Sequence, residues 1–226
     1  MADQAEDQSI PKAGEVRRHV MGTVPDGIKL TLQRMAKYII EAGHDPFVVM
    51  TARKIAHLAV STARQLDLEV DDNTKPLIWL RGIHAWCWEF FEYVRDPLDV
   101  EMIQTPNRML RQLIGPREVS RLMWEPIRDA MAKKEGVDPA TLPFPTPKVT
   151  GDSDEAVILS MSLAAAIGIT PLKIMLGGAD KRIHLGQVIT YAWGAVWAAE
   201  EWHHLDILHD TFGKHHTDLY EEYPIT

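Results

Sequence analysis

Apolar residues recur every three or four positions through most of the first half of the chain, which is the period of an α-helix with one buried face. The segments that show this period predict four helices, over about 28–43, 46–65, 75–94 and 107–114. Residues 1–26 lack the period and carry scattered acidic residues and prolines, so we expect a flexible N-terminal arm. The first half of the chain is therefore predicted to be helical.

The pattern changes after a proline-rich connection. Residues 116–150 contain one further amphipathic stretch and a cluster of prolines, and we interpret them as an insertion or connector. Residues 153–167 are apolar on nearly every side, which is typical of a buried helix. Three strand-like runs and a polar tail follow, over 171–177, 183–193, about 196–207 and 213–226.

This order of elements predicts an α+β fold in a single domain over 27–212, with the buried helix packed on a small antiparallel sheet. The composition, with 46% apolar and 25% charged residues, is that of a globular protein. The net charge of −8 argues against binding nucleic acid by neutralising phosphates, and the lone cysteine, Cys87, excludes an internal disulfide. No apolar run predicts a transmembrane helix or the core of a signal peptide.

The start of the buried helix carries the most informative polar residues. Asp152, Ser153, Asp154 and Glu155 stand directly before its apolar run. A nucleophile at this point lies at the positive end of the helix dipole, near backbone N–H groups that can stabilise an oxyanion. The spacing of Asp152 and Glu155 is also that of a capping box, which is a purely structural role, and the two roles are compatible.

Two later residues complete a catalytic pattern with Ser153. His184 stands at the start of the second strand-like run, and Asp206 stands near the end of the third. A nucleophile on a helix N-terminus, a histidine on one strand and a carboxylate on the next have the arrangement of a catalytic triad. Gln104 is a candidate donor to the oxyanion, and the alternative for it is an amide that stabilises a loop.

These residues, with the stretch before them, resemble the transglutaminase-like superfamily in its bacterial and phage cysteine-peptidase-like branch. The resemblance covers roughly residues 28–210 and implies a papain-like core. Ser153 stands where the family has its nucleophilic cysteine, and 116–150 is longer than the family's usual spacer. The motifs that carry the resemblance are, in order, Tyr93-Val94, Asp96-Pro97, Glu101, Thr105-Pro106, Gly151-Asp152-Ser153-Asp154, Gly168-Ile169, His184 and Trp202 with Leu205-Asp206.

The resemblance implies a phage or prophage source and two competing functions. In the first, the chain is a virion-associated structural or assembly protein, located in the virion or in the cytoplasm of the bacterial host. Its degenerate domain then binds other virion or assembly proteins, or further copies of itself. The absence of the cysteine favours this function, because a serine hydroxyl is not ionised by a helix dipole near neutral pH.

In the second function, the chain is an active peptidase, amidase or transamidase. Ser153, or a cysteine that an engineered serine replaced, attacks an amide while His184 transfers the proton and Asp206 orients the imidazole. No cofactor is expected for either function, nor is a specific nucleic acid or a membrane expected as a partner.

The histidine-rich end of the chain offers a third, weaker alternative, a metal-binding module. Imidazole and carboxylate groups cluster there as they do in metal sites. Their spacing does not match that of a helical zinc site, so we favour a solvated edge. Cys87 lies within an apolar helix and is expected to pack in the core. The clustered residues are His203, His204, Asp206, His209, Asp210, His215, His216 and Asp218.

Overall fold

The computed structural model has a mixed α+β architecture, as the sequence predicts. The candidate base, His184, lies outside the residues that the structure describes, as do most of the predicted N-terminal arm and part of the connector 116–150. The described residues are 17–18, 26–94, 103–113, 125–126, 128–134, 136–141, 147–178, 190–214 and 220–225.

Helices make up most of the described chain before residue 167 and confirm the helical pattern. Residues 125–126 and 128–134 are also helical, and Pro139–Thr141 form a short 3-10 helix. The main helices are α1 (Asp26–Ala42), α2 (Pro46–Gln65), α3 (Lys75–Phe90), α4 (Pro106–Gln112) and α5 (Ser153–Ala166). Gly168, with a φ of +83°, follows α5 in the left-handed conformation that commonly ends a helix.

The helix predicted over 75–94 is too long, because α3 ends at Phe90. Phe91–Tyr93 instead form strand β2, which pairs in parallel with β3 (Val149–Gly151). The pairing supplies the backbone hydrogen bonds that a further helical turn would have made, and it continues where Val94 N donates to Gly151 O at 2.8 Å. The two strands therefore hold the end of α3 beside the start of α5.

Five described strands form an antiparallel sheet, and all of them but the first follow α5 in the chain. Strand Leu172–Gly178 (β4) confirms the prediction over 171–177. The strands are β1 (Arg17–Arg18), β4 (Leu172–Gly178), β5 (Thr190–Ala198), β6 (Glu201–Leu205) and β7 (Tyr220–Pro224), and their order across the sheet is β1-β7-β4-β5-β6.

The hairpin between β5 and β6 corrects the other two predicted strands. The chain reverses at Ala199 and Glu200, inside the run predicted as one strand over 196–207. Both residues have left-handed backbone angles, with φ of 50° and 65°. A tight hairpin turn requires this conformation, and glycine or asparagine usually supplies it. Since neither residue type is present here, the sequence gives no turn signal. Residues 183–189 of the other predicted strand lie outside the described part of the chain.

The polar tail predicted over 213–226 also needs correction, because its described part contains β7. This strand lies inside the sheet, between β1 and β4, so residues of the predicted N-terminal arm pair with it as well. Glu222 is one of the polar residues of the predicted tail, and its charge is balanced locally because Lys173 Nζ lies 2.8 Å from Glu222 Oε2. The composition of this segment therefore did not reveal that it contains a strand of the sheet.

Helix α5 is the centre of the hydrophobic core. It packs against α1, α2 and α3 and, on another side, against β5. Its residues from Glu155 to Ala164 are all buried. Gly194 of β5 allows close approach, because a Cβ at this position would overlap the Met161 side chain of α5. Among the described helices, none is long and apolar enough to cross a bilayer.

Candidate functional site

The N-terminus of α5 is held by the predicted capping box. Asp152 Oδ1 accepts a hydrogen bond from Asp154 N at 2.7 Å, and Glu155 Oε2 accepts one from Asp152 N at 3.1 Å. Glu155 Oε1 also accepts from Gln104 N at 2.9 Å. Gly151 makes room for this side chain, since a Cβ there would overlap Glu155. Glu155 thus connects the loop before α4 to the start of α5.

Glu155 is only 1% exposed, and this burial shifts the pKa of its carboxyl group. It raises the pKa from 4.5 to about 8, with help from the Asp152 side chain and against the two backbone N–H donors. The folded chain therefore holds this proton more tightly than the unfolded chain does. The resulting stabilisation is fully present below about pH 4.5 and is lost as the pH rises through about 8.

We expect this titration to appear in the stability of the protein. Between about pH 5 and pH 9 the unfolding free energy should fall in the wild-type chain relative to Glu155→Gln, which cannot titrate. The steepest slope of one proton is about 1.4 kcal/mol per pH unit. Urea unfolding at several pH values measures both profiles. Parallel profiles would show that Glu155 does not change its protonation in this range.

Gln104, the candidate oxyanion donor, makes side-chain hydrogen bonds to both β3 and α4. Its Nε2 donates to Thr150 O at 3.2 Å, and its Oε1 accepts from Gln112 Nε2 of α4 at 2.8 Å. Gln112 Oε1 in turn accepts from Thr150 N at 3.1 Å. These bonds fit the loop-stabilising role that the sequence analysis gave as the alternative.

Asp206 follows β6 directly and is 2% exposed. Its Oδ1 accepts hydrogen bonds from the Tyr191 hydroxyl at 2.6 Å and from Leu208 N at 3.0 Å. Burial raises the pKa of Tyr191 far above its ordinary value, and the hydrogen bond to Asp206 and the charge of that carboxylate add to the effect. The phenol therefore stays protonated near neutral pH and acts as the donor to Asp206.

The hairpin register brings these two residues together. Gly194 of β5 pairs with Leu205 of β6, so the start of β5 lies beside the residues that follow β6. Tyr191 shares a face of β5 with Trp193, and the two rings stack with centroids 6.0 Å apart. Tyr191 reaches Asp206 diagonally across the hairpin.

A cleft of about 660 Å³ lies beside the Tyr191–Asp206 pair. Trp88, Tyr93, Tyr191 and Leu208 are among its lining residues, and Tyr93 is 54% exposed. Because Tyr93 of β2 pairs with Gly151 of β3, the cleft lies close to the start of α5. The pairing of β2 with β3 thus connects the cleft to the segment that carries Ser153.

The structure describes two of the three predicted triad residues. Ser153 is the first residue of α5 and is 9% exposed, and no hydrogen bond joins its hydroxyl to another described residue. Asp206 is engaged by Tyr191, while His184 lies outside the described part. The sequence analysis missed Tyr191. The register of the β5–β6 hairpin would have pointed to it, had the turn been recognised.

Searches of protein-family models, of curated proteins and of solved structures find no match for this chain.

Two histidines in the described part of the histidine-rich stretch take part in hydrogen bonds within the sheet. His203 Nε2 lies 3.0 Å from Ala198 O, and His204 Nδ1 accepts from Trp193 Nε1 at 2.9 Å. Over the residues that the structure describes, no three histidine, cysteine or acidic side chains come together as metal ligands. The remaining members of the predicted cluster, His215, His216 and Asp218, are not among them.

Cys87 packs in the core of α3, as predicted, with no exposed surface. Burial raises the pKa of its thiol well above the ordinary range. A buried thiol of this kind is inert towards alkylating reagents in the folded protein.

Proposed function

We propose that this chain is a virion-associated structural or assembly protein whose transglutaminase-like, papain-like domain is catalytically inactive and binds other proteins. The observation that carries the proposal is the 2.6 Å hydrogen bond from Tyr191 to Asp206. In a working triad the carboxylate orients an imidazole, and the imidazole accepts the proton of the nucleophile. The Tyr191 phenol instead occupies Oδ1, one of the two oxygens with which a triad carboxylate orients an imidazole.

The surroundings of Ser153 support the same proposal. A serine hydroxyl needs a well-placed base before it can attack an amide. Among the described residues none accepts a hydrogen bond from the Ser153 hydroxyl, although Asp152 at the N-cap and Asp154 in the first turn flank it in the chain. Both hydrogen bonds of the capping box are nevertheless formed, so the start of α5 keeps its structure although residue 153 is not activated.

The architecture is consistent with the domain that we propose. A buried helix packs on an antiparallel sheet, and the candidate carboxylate follows β6, the third described strand after that helix. The cleft beside Tyr191 is open and partly aromatic, with Trp88 49% exposed and Tyr93 54% exposed. Exposed aromatic side chains of this kind are common in protein-binding surfaces.

Labelling with a fluorophosphonate probe tests the loss of catalysis. We expect no adduct at Ser153 in the wild-type chain, with mass spectrometry as the readout and Ser153→Ala as the control. An adduct at Ser153 that disappears in His184→Ala would instead establish the active hydrolase.

The assembly role is tested in purified phage particles. We expect the chain to be present at a fixed copy number relative to the major capsid protein, measured by quantitative mass spectrometry. Its complete absence from particles and from assembly intermediates would overturn this part of the proposal, whatever the labelling shows.

A further inference from the structure

Helix α2 concentrates positive charge on an otherwise acidic protein. The chain has a net charge of −8, but α2 contains three cations, Arg53, Lys54 and Arg64, and no acidic residue. All three cations are exposed, and Lys75 at the start of α3 adds a fourth nearby. None of the four forms an ion pair with a described carboxylate. We call Arg53, Lys54, His57, Arg64 and Lys75, with Met50 and Leu58, the α2 basic surface.

Apolar side chains lie among these cations. Met50, Lys54 and Leu58 follow one another at intervals of four residues and so form a single row along the helix. Met50 is 45% exposed and Leu58 is 62% exposed. The opposite side of α2 is buried in the core through a separate stripe, Val48, Ala52, Ile55, Ala56 and Ala63. The outward row is therefore not needed for packing within the chain.

Two adjoining grooves follow this surface. One, of about 710 Å³, is lined by residues of α2 including Met50, Lys54 and Leu58. The other, of about 580 Å³, lies where α2 meets α3 and the C-terminal end of α5, and it shares Arg53 and His57 with the first. No described acidic residue lines either groove. From Met50 to Arg64 the surface extends about 21 Å, the length of a four-turn helix.

Ordinary helix electrostatics explains only part of this charge. Arg64 lies in the last turn of α2, where the helix dipole favours a cation. Arg53 and Lys54 lie in the middle of the helix, where the dipole gives no such advantage. Unpaired cations beside exposed apolar side chains match a partner that carries carboxylates and apolar groups together.

We propose that the α2 basic surface binds an acidic segment of a partner protein that presents apolar side chains at helical spacing. Met50 and Leu58 favour this partner over nucleic acid, because phosphate contacts alone would leave both side chains in water. They favour it over a membrane as well, because two side chains on a helix whose other face is buried offer little apolar area for insertion. The second groove reaches the C-terminal end of α5, about 20 Å along that helix from Ser153.

A synthetic peptide tests the proposal on the full chain. The probe is a fluorescein-labelled peptide of about fifteen residues with leucine and glutamate at helical spacing, and a permuted peptide of equal composition is its control. Fluorescence anisotropy measures the affinity. We expect the probe to bind at least about tenfold more weakly to R53E/K54E than to wild type. The pair R34E/K37E makes the same change of charge on exposed positions of α1 and should change the affinity less than about twofold.

The apolar part of the surface is tested with M50Q/L58Q, which should also weaken binding of the probe while leaving the charge unchanged. Circular dichroism shows that each variant is folded. Equal losses in R53E/K54E and R34E/K37E, or equal binding of the permuted peptide, would overturn the proposal. So would binding of duplex DNA or of phosphatidylserine vesicles at Arg53 and Lys54 without binding of the peptide. None of these results depends on labelling at Ser153.

Discussion

Replacing Lys173 with methionine is expected to lower the unfolding free energy by about 3–5 kcal/mol, because it removes the ammonium of a buried ion pair with Glu222. The two side chains are 8% and 9% exposed, and Lys173 Nζ lies 2.8 Å from Glu222 Oε2. The same ammonium lies 3.8 Å from the centroid of the Trp202 ring, so the substitution also removes a cation–π contact. Urea unfolding followed by tryptophan fluorescence measures the change.

Two matched variants distinguish the effect of leaving a charge buried from the effect of removing a charge at the surface. Lys173→Met combined with Glu222→Leu should recover most of the loss, because an apolar pair of similar volume leaves no unpaired charge. Lys37→Met breaks the exposed Lys37–Glu41 pair, whose atoms are 3.8 Å apart, and should cost less than about 1 kcal/mol. Equal costs for Lys173→Met and Lys37→Met would contradict the placement of β7 inside the sheet.

Gly194→Val is expected to destabilise the protein by about 3 kcal/mol, at the upper end of the cost of overfilling a core. The new side chain would occupy the space of Met161 on α5, and Met161 has no exposed surface into which it could move. The variant therefore tests the contact between the central helix and β5 directly. Thermal or urea unfolding gives the magnitude.

A second substitution at the contact checks the physical cause. Met161→Ala alone should cost about 2–5 kcal/mol through the cavity it leaves. Combined with Gly194→Val, it should cost less than the sum of the single changes by about 1–3 kcal/mol, because valine fills the vacated space. Strictly additive costs would mean that residues 161 and 194 are not in contact.

Local signals in the sequence predicted the start of the site well. Asp152 and Glu155 stand at capping-box spacing before an apolar run, and both hydrogen bonds of the box are formed. The same apolar run predicted that α5 is buried. Such features depend on residues within one helical turn of each other, so the sequence alone determines them.

Long-range pairing was harder to predict. The turn at Ala199 and Glu200 uses left-handed backbone angles without glycine or asparagine, so the hairpin that brings Tyr191 to Asp206 left no signal. Glu222 looked like part of a polar tail, but it is buried and pairs with Lys173, which is distant in the sequence. In both cases the position of the side chain depends on a partner residue in another strand.

The central claim is that Asp206, whose Oδ1 accepts a hydrogen bond from the Tyr191 phenol, does not orient an imidazole that activates residue 153. The pH dependence of thiol alkylation in Ser153→Cys tests it most directly, because the other thiol, Cys87, is buried and serves as an internal control. The helix N-terminus lowers the pKa of the introduced thiol in any case, so we expect Ser153→Cys and Ser153→Cys/His184→Ala to react with iodoacetamide with the same pH profile.

The comparison that decides is Ser153→Cys against Ser153→Cys/Tyr191→His. We predict that the histidine, oriented by Asp206, lowers the midpoint of the rate profile by at least about one pH unit, since an imidazolium stabilises the thiolate. The contradicting result is a thiol that already reacts rapidly well below about pH 8 in Ser153→Cys alone and loses that reactivity in Ser153→Cys/His184→Ala.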